Sequence, residues 1–200
     1  MNYALIGFGK IGQALAKAFA RSGIELTVAT TRAPESFASD AAAIGPEIIP
    51  TTLAQAIKAD IIFLAVGFKS HADVAKALPT WQGKTIVDMT NAYGVPAENL
   101  GGMPSSRLVA QAFSGAKLVK GFNHLAAAVL DRIPPVQGGR KVIFLASDDD
   151  HAEAEIGALA EKLGFAPIRL GSLSEGGLLI GARGNTWGQL IFKDLIKLDS

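Results

Sequence analysis

Nine residues near the N-terminus, Ala4-Leu5-Ile6-Gly7-Phe8-Gly9-Lys10-Ile11-Gly12, restrict the fold more than any other stretch of the chain. Tyr3 to Ile6 is a short apolar run, too short for a helix and ended by Gly7, so it reads as a buried strand. Gly7 to Gly12 spells G-x-G-x-x-G. Beyond it Ile11, Leu15, Ala18 and Phe19 recur at the spacing of one helical face, and Gly23 closes that helix. A bare G-x-G-x-x-G is a weak signal, because glycine is common; a strand before it and a helix after it are the context that gives it meaning. In that context Gly7 makes the tight turn, Gly9 lets backbone approach a diphosphate, and Gly12 lets the helix pack on the strand. A bound diphosphate would rest on the amides and positive dipole end of the helix. Phe8, Lys10 and Ile11 belong to the same cradle.

Composition narrows the function classes. With 49% apolar and 18% charged residues the chain can fill a sizeable core. A net charge of +1, with no basic stripe interleaved with aromatics, argues against nucleic acid as a partner. There is no cysteine, which excludes disulfides, thiol catalysis and cysteine-built metal sites and suits a reducing cytosol. A first strand at residue 2 or 3 leaves no room for a signal peptide, and the longest apolar run, Ile61 to Phe68, is far short of a membrane span. A cytoplasmic protein without membrane contact is expected.

Further strands are predicted at 25–30, 46–50, 60–66, 84–89, 117–122, 141–146 and 165–170. Helices are predicted at 34–43, 51–59, 71–78, 105–113, in the alanine-rich stretch to Leu130, and after Ser147. Strands alternating with helices predict an α/β fold, a single doubly wound and mostly parallel Rossmann-type sheet over 1–200. The tail from about Gly171 is read as a C-terminal helical appendage and a dimer element, so a homodimer is expected. Ligands of such sheets lie at the carboxyl ends of the strands, near the reversal of strand order. The loops there supply Ala65, Val66, Gly67, Phe68, His71, Asn91, Asn123 and His124 as cofactor contacts.

The choice of cofactor rests on the residues after the second strand. An acidic residue there would accept from the ribose 2′-hydroxyl of NAD; this chain has Thr30-Thr31-Arg32. Two hydroxyls and a guanidinium suit a 2′-phosphate, so NADP(H) is favoured over NAD(H), the alternative being an idle surface arginine.

The glycine loop, Thr31-Arg32, Lys120-Gly121-Phe122-Asn123, the run Ser147-Asp148-Asp149-Asp150 before a helix, and Leu170-Gly171-Ser172-Leu173 together resemble the NADPH-dependent coenzyme F420 reductase family. Its fold is shared with the NADPH-binding domain of the STEAP metalloreductases. The likeness runs over essentially the whole chain and is more specific in the second half. It implies that Gly7–Gly12 holds the diphosphate, that Thr31 and Arg32 hold the 2′-phosphate, and that Asn123, His124, Leu125 and Ala126, with Ala127 next in line, face the nicotinamide and the acceptor ring. A deazaflavin such as F420, or a flavin, is the implied acceptor. One departure, His124-Leu125-Ala126 where the family usually has Thr, an aliphatic residue and Pro, bears on the acceptor more than on the cofactor.

Other polar candidates carry bland readings beside the functional ones. His71 opens a helix, where an imidazole is more often a solvated cap. His124 is either a proton carrier or a structurally satisfied histidine. His151 reads as surface. Asp148–Asp150 point in different directions from a helix start, which favours capping over a metal site. Trp187 either stacks on a flat ligand or packs in a core or interface. The leading function is hydride exchange between NADPH and a flat heteroaromatic. The alternatives are a non-catalytic NADPH-binding or redox-sensing module and a small NADP-dependent carbonyl or imine reductase.

Overall fold

A computed structural model describes residues 1–131 and 140–182. Its centre is an eight-stranded sheet in the order β3-β2-β1-β4-β5-β6-β7-β8. The strands are β1 (Tyr3–Ile6), β2 (Leu26–Ala29), β3 (Ile48–Pro50), β4 (Ile61–Leu64), β5 (Thr85–Asp88), β6 (Lys117–Gly121), β7 (Val142–Ser147) and β8 (Ala166–Arg169). All neighbours are parallel except β6 and β7, which run antiparallel with Lys120 opposite Ala146. The order reverses between β1 and β4, where Ile6 lies beside Leu64. The expected doubly wound sheet is thus the observed one.

Helices cover both faces. One face carries α1 (Lys10–Arg21) and α7 (Asp150–Lys162); the other carries α3 (Leu53–Ala56), α4 (His71–Ala75) and α5 (Ser105–Ala112). α2 (Ala38–Ile44) follows a 3₁₀ turn at Pro34–Phe37, so the predicted helix over 34–43 is two shorter pieces. β4 is buried at all four positions, as an interior parallel strand must be. α1 buries Ala14, Leu15, Ala18 and Phe19, and Phe19 meets Phe63 of β4 edge-on at 5.5 Å. Full burial of such a ring stabilises the layer contact by about 1.5–3 kcal/mol.

The acidic run works as a cap. Asp149 is the N-cap of α7, its Oδ1 accepting from the Ala152 amide at 2.8 Å, and that bond above all holds its carboxyl below the usual range. The neighbouring carboxylates diverge, Asp148 to Arg107 at 2.7 Å and Asp150 to Arg169 at 3.1 Å. Ser70 occupies the N-cap of α4 without a side-chain bond, and a 3₁₀ turn at Phe68–Ser70 leads straight into the helix. After α6 (Ala127–Asp131) and the last strand comes α8 (Gly176–Leu179), with Ile180 buried against Val142, Phe144 and Ala146. Residues 183–200 of the predicted C-terminal helical appendage, Trp187 included, lie outside the described residues.

Candidate functional site

The carboxyl ends of β1, β2, β4, β5 and β6 share one edge, and the predicted ligand residues gather there. At its centre Gly7 has φ +104° and donates its amide to Ala29 O at 2.9 Å, knitting the turn to β2. A Cβ at Gly7 would sit 2.3 Å from Ala65 O, and one at Gly12 2.3 Å from Gly7 O. Only glycine fits either place. Gly9 is different: a Cβ there would meet nothing within 4 Å. The space over Gly9 opens outward, at the mouth of α1.

That helix end is unspent. Gly9 caps it with no side-chain bond, and its first turn carries no acidic residue. Intrahelical bonding starts with Gln13 N to Gly9 O at 2.9 Å, so the amides of Lys10, Ile11 and Gly12 face outward without helical partners. Open room over a glycine and free amides at a positive dipole end fit a diphosphate. Phe8 and Ile11 act from behind: Phe8 is in the core, its ring 5.6 Å from Phe37, and Ile11 packs half-buried beside it.

A groove of about 410 Å³ runs from this turn across the strand reversal. Ile6, Gly7, Thr30, Thr31, Val66, Gly67 and Ser70 line it, together with Leu53, Asp73 and Val74, three residues to which no sequence motif pointed. Thr30 Oγ1 accepts from the Arg32 amide at 3.0 Å, an Asx-like turn that leaves Thr31 and Arg32 exposed beside the groove. The Arg32 guanidinium lies over the Phe37 ring at 5.6 Å, which holds the cation in place while its N–H groups remain available. A larger hollow, about 550 Å³, opens at the other end of the sheet beside Asn2, Glu25 and Lys58. Ligands of open α/β sheets bind at strand carboxyl ends, so the smaller groove is the candidate site.

The second half of the edge, after β5 and β6, is built from side chains. Phe122 has φ +59° although it is large and fully buried. Backbone strain of this kind costs on the order of 1–3 kcal/mol and must be held by its surroundings. Here Phe122 is wedged edge-on between Phe63 at 5.8 Å and Phe165 at 5.9 Å. The strained turn aims Asn123, whose Nδ2 donates to Asn91 Oδ1 at 3.0 Å and to Ile180 O at 2.8 Å. Asn91 Nδ2 returns a bond to Asn123 O at 2.8 Å. Asn123 Oδ1 and Thr90 Oγ1 are buried without a hydrogen-bond partner among the described residues.

Beneath them lies an ion pair that no sequence pattern announced. Lys120 and Asp88 are both fully buried, with Nζ 3.1 Å from Asp88 Oδ2 and a second bond from Nζ to Thr90 O. Burial lowers the lysine pKa, opposed by the Asp88 charge. The strands give no hint of the pair, because its partners are 32 residues apart.

The remaining predicted contacts are corrected or refined. His124 is buried beside the start of β7 rather than open to the groove: its Nε2 meets Val142 O at 3.1 Å and its ring lies 4.9 Å from Phe144. Burial lowers its pKa to about 4, opposed by the bond to Val142, so the imidazole is neutral at ordinary pH. Leu125 packs into the core with Phe122 and Leu130 rather than lining the edge, while Ala126 is exposed and Ala127 half-buried. Phe68 and His71 stack on each other at 4.7 Å, and His71 Nδ1 binds Phe68 O, which staples the β4 exit loop. His151 is exposed.

The sequence profile of the family described as NADP oxidoreductase, coenzyme F420-dependent, matches residues 2–92. A hypothetical protein of Sinorhizobium meliloti is 36% identical, with a TM-score of 0.89 over 98% of this chain and 96% of that one. A structure described as an F420-dependent NADP-reductase from Arthrobacter sp. FB24 is 26% identical, with a TM-score of 0.69 over 86% of each chain. The family profile covers residues 2–92, a little under half of the chain, and over them the chain is similar to the F420-dependent NADP oxidoreductase family. Mouse metalloreductase STEAP2 is 28% identical over 179 residues, 87% of this chain and 34% of its own length, so the chain spans about a third of that relative. A reductive aminase from Aspergillus terreus, 20% identical with a TM-score of 0.63, shares the fold. The family profile and these neighbours support NADP(H) as the dinucleotide, and the residues on this edge fit it: free helix amides suited to the diphosphate, and two hydroxyls and a guanidinium at the end of β2 suited to the 2′-phosphate.

Proposed function

We propose that this protein passes hydride between NADP(H) and a flat heteroaromatic acceptor, a deazaflavin of the F420 type or a flavin. NADPH, when bound, supplies the hydride from its nicotinamide ring. The chain's part is to orient that ring and exclude water. Gly9 and the α1 amides would hold the diphosphate, and Thr31 and Arg32 the 2′-phosphate. Asn91 and Asn123 would floor the nicotinamide half, with Ala126 and Ala127 on the acceptor side.

The observation that carries this reading is the orientation of His124. Reduction of a ketone or imine needs a proton donor positioned at the forming oxygen or nitrogen, whereas hydride transfer between two flat rings mainly requires stacking at ~3–3.5 Å. His124, the histidine that sequence places at the acceptor, spends Nε2 on a backbone carbonyl and sits 2% exposed, so it is not offered to a substrate. That supports ring-to-ring transfer over a carbonyl or imine reductase. The non-catalytic alternative is separated by turnover. NADPH oxidation should be scored against F420, FMN, FAD, quinones and ferric chelates, with F420 or a flavin expected to be fastest. Preference for a ferric chelate, or binding with no oxidation by any acceptor, would contradict the proposal.

A further inference from the structure

Asp88, Thr90 and Lys120 form a closed clamp below the nicotinamide half of the edge. Asp88 Oδ1 accepts from the Thr90 amide at 2.8 Å, Asp88 Oδ2 accepts from Lys120 Nζ at 3.1 Å, and Nζ donates again to Thr90 O. The amide of Thr90 and its carbonyl are therefore both fixed by side chains rather than by the sheet ladder, which ends at Asp88. Asn91 is the next residue. Its side chain pairs reciprocally with Asn123, the residue that the strained Phe122 turns to the edge. The loop after β5 is tied in this way to the loop after β6, and through Ile180 O to the segment after α8.

A buried ion pair contributes little net stability compared with well-packed apolar residues of the same volume, so its presence at 0% exposure asks for another explanation. We infer that Lys120 and Asp88 are positioning residues for cofactor binding: through Thr90 they hold the Asn91–Asn123 pair in the geometry that receives the nicotinamide half of NADP(H), and they do nothing for the adenosine half. Among the described residues the clamp makes no hydrogen bond to the glycine turn or to Thr30–Arg32, and it is joined to the edge through the chain at Asn91, which pairs with Asn123. The inference rests on the cofactor reading above and not on the acceptor, so it is tested by binding rather than turnover.

Removing one partner would strand a buried charge, so the pair is replaced together. Asp88→Leu with Lys120→Met removes all three bonds and leaves no buried charge. Asp88→Asn with Lys120→Met keeps an acceptor for the Thr90 amide and loses the bond to Thr90 O. Dissociation constants are measured for NADPH and for 2′,5′-ADP, which carries the 2′-phosphate and adenosine but no nicotinamide. The first double variant should bind NADPH about tenfold more weakly, equivalent to one lost or misplaced contact, with 2′,5′-ADP unchanged within about twofold. The second should fall between it and the parent. Equal affinity for NADPH in all three proteins would overturn the inference. So would a parallel loss for both ligands, or failure of both variants to fold, since each would make the pair a general support of the sheet. If the parent bound neither ligand, the cofactor reading itself would fall.

Discussion

The two halves of the candidate site are made in opposite ways. The diphosphate half, from Gly7 to Gly12, is backbone: one turn, one helix end and open space where Gly9 lacks a side chain. The half after β5 and β6 is side chain: Asp88 and Lys120 on the two strands and Asn91 and Asn123 in the loops that follow them, locked by bonds spanning 30 to 57 residues and set by a strained Phe122. Under the proposed function the first would recognise a group that every dinucleotide carries, for which peptide amides and a helix dipole suffice. The second would hold one flat ring against another, a precision suited to buried, mutually bonded side chains.

Halves built so differently should break differently. The largest effect is expected where the glycine turn meets other backbone. Gly12→Ala places a methyl 2.3 Å from Gly7 O, and Gly7→Ala adds the same clash with Ala65 O to an unfavourable φ. Each should cost more than about 3 kcal/mol in chemical unfolding or prevent folding altogether. Gly9→Val sharpens the point. It should leave stability within about 1 kcal/mol, since its side chain meets only open space, yet weaken dinucleotide binding at least about 100-fold by filling the cradle. Unchanged NADPH affinity in that variant would remove the anchor of the site.

Arg32→Ala comes next. Loss of a charge-assisted bond worth about 1.5–3 kcal/mol should weaken NADPH about tenfold to 100-fold and leave NADH nearly unaffected, read by paired titrations. Tighter binding of NADH than NADPH by the unmodified protein would contradict the role given to Thr31 and Arg32.

The smallest effect on turnover is expected at His124. His124→Ala should lose about tenfold or less, well short of the ~10²–10⁴ that accompanies loss of a general acid. Its larger effect is on pH stability. With the folded pKa lowered to about 4 and an unfolded value of ~6.5, the unfolded chain takes up a proton that the folded one refuses. The stability tied to neutral His124 is therefore complete above pH ~6.5 and is lost as pH falls toward 4, on the order of 3 kcal/mol over that window. Unfolding free energies from pH 7 to 4 should fall less steeply for His124→Gln than for the parent.

The same contrast explains what could be read from the sequence. Strand, turn and helix at residues 3–21 are adjacent in the chain, so the glycine spacing and the helical period expose them together. Thr30–Arg32 could be placed because it lies at a fixed distance beyond that motif. The Asp149 cap was visible for the same local reason. Lys120 was not, since a lysine on a strand reads as solvent-facing until its partner 32 residues away is known. The positions of His124 and Leu125 directly after β6 pointed both to the ligand edge. The left-handed turn at Phe122 reorients the next residues, sending His124 to β7 and Leu125 into the core. Nothing in the identity of a phenylalanine announces such a turn.

The most direct test of ring-to-ring transfer tracks a single atom. NADPH carrying deuterium at the transferred position of its nicotinamide is oxidised with a deazaflavin in ordinary water, and the reduced acceptor is analysed by mass and NMR. Direct transfer predicts one deuterium retained on the acceptor's reacting carbon and slower turnover than with unlabelled NADPH. Reduced deazaflavin without the label, or NADPH that binds and is never oxidised, would contradict it.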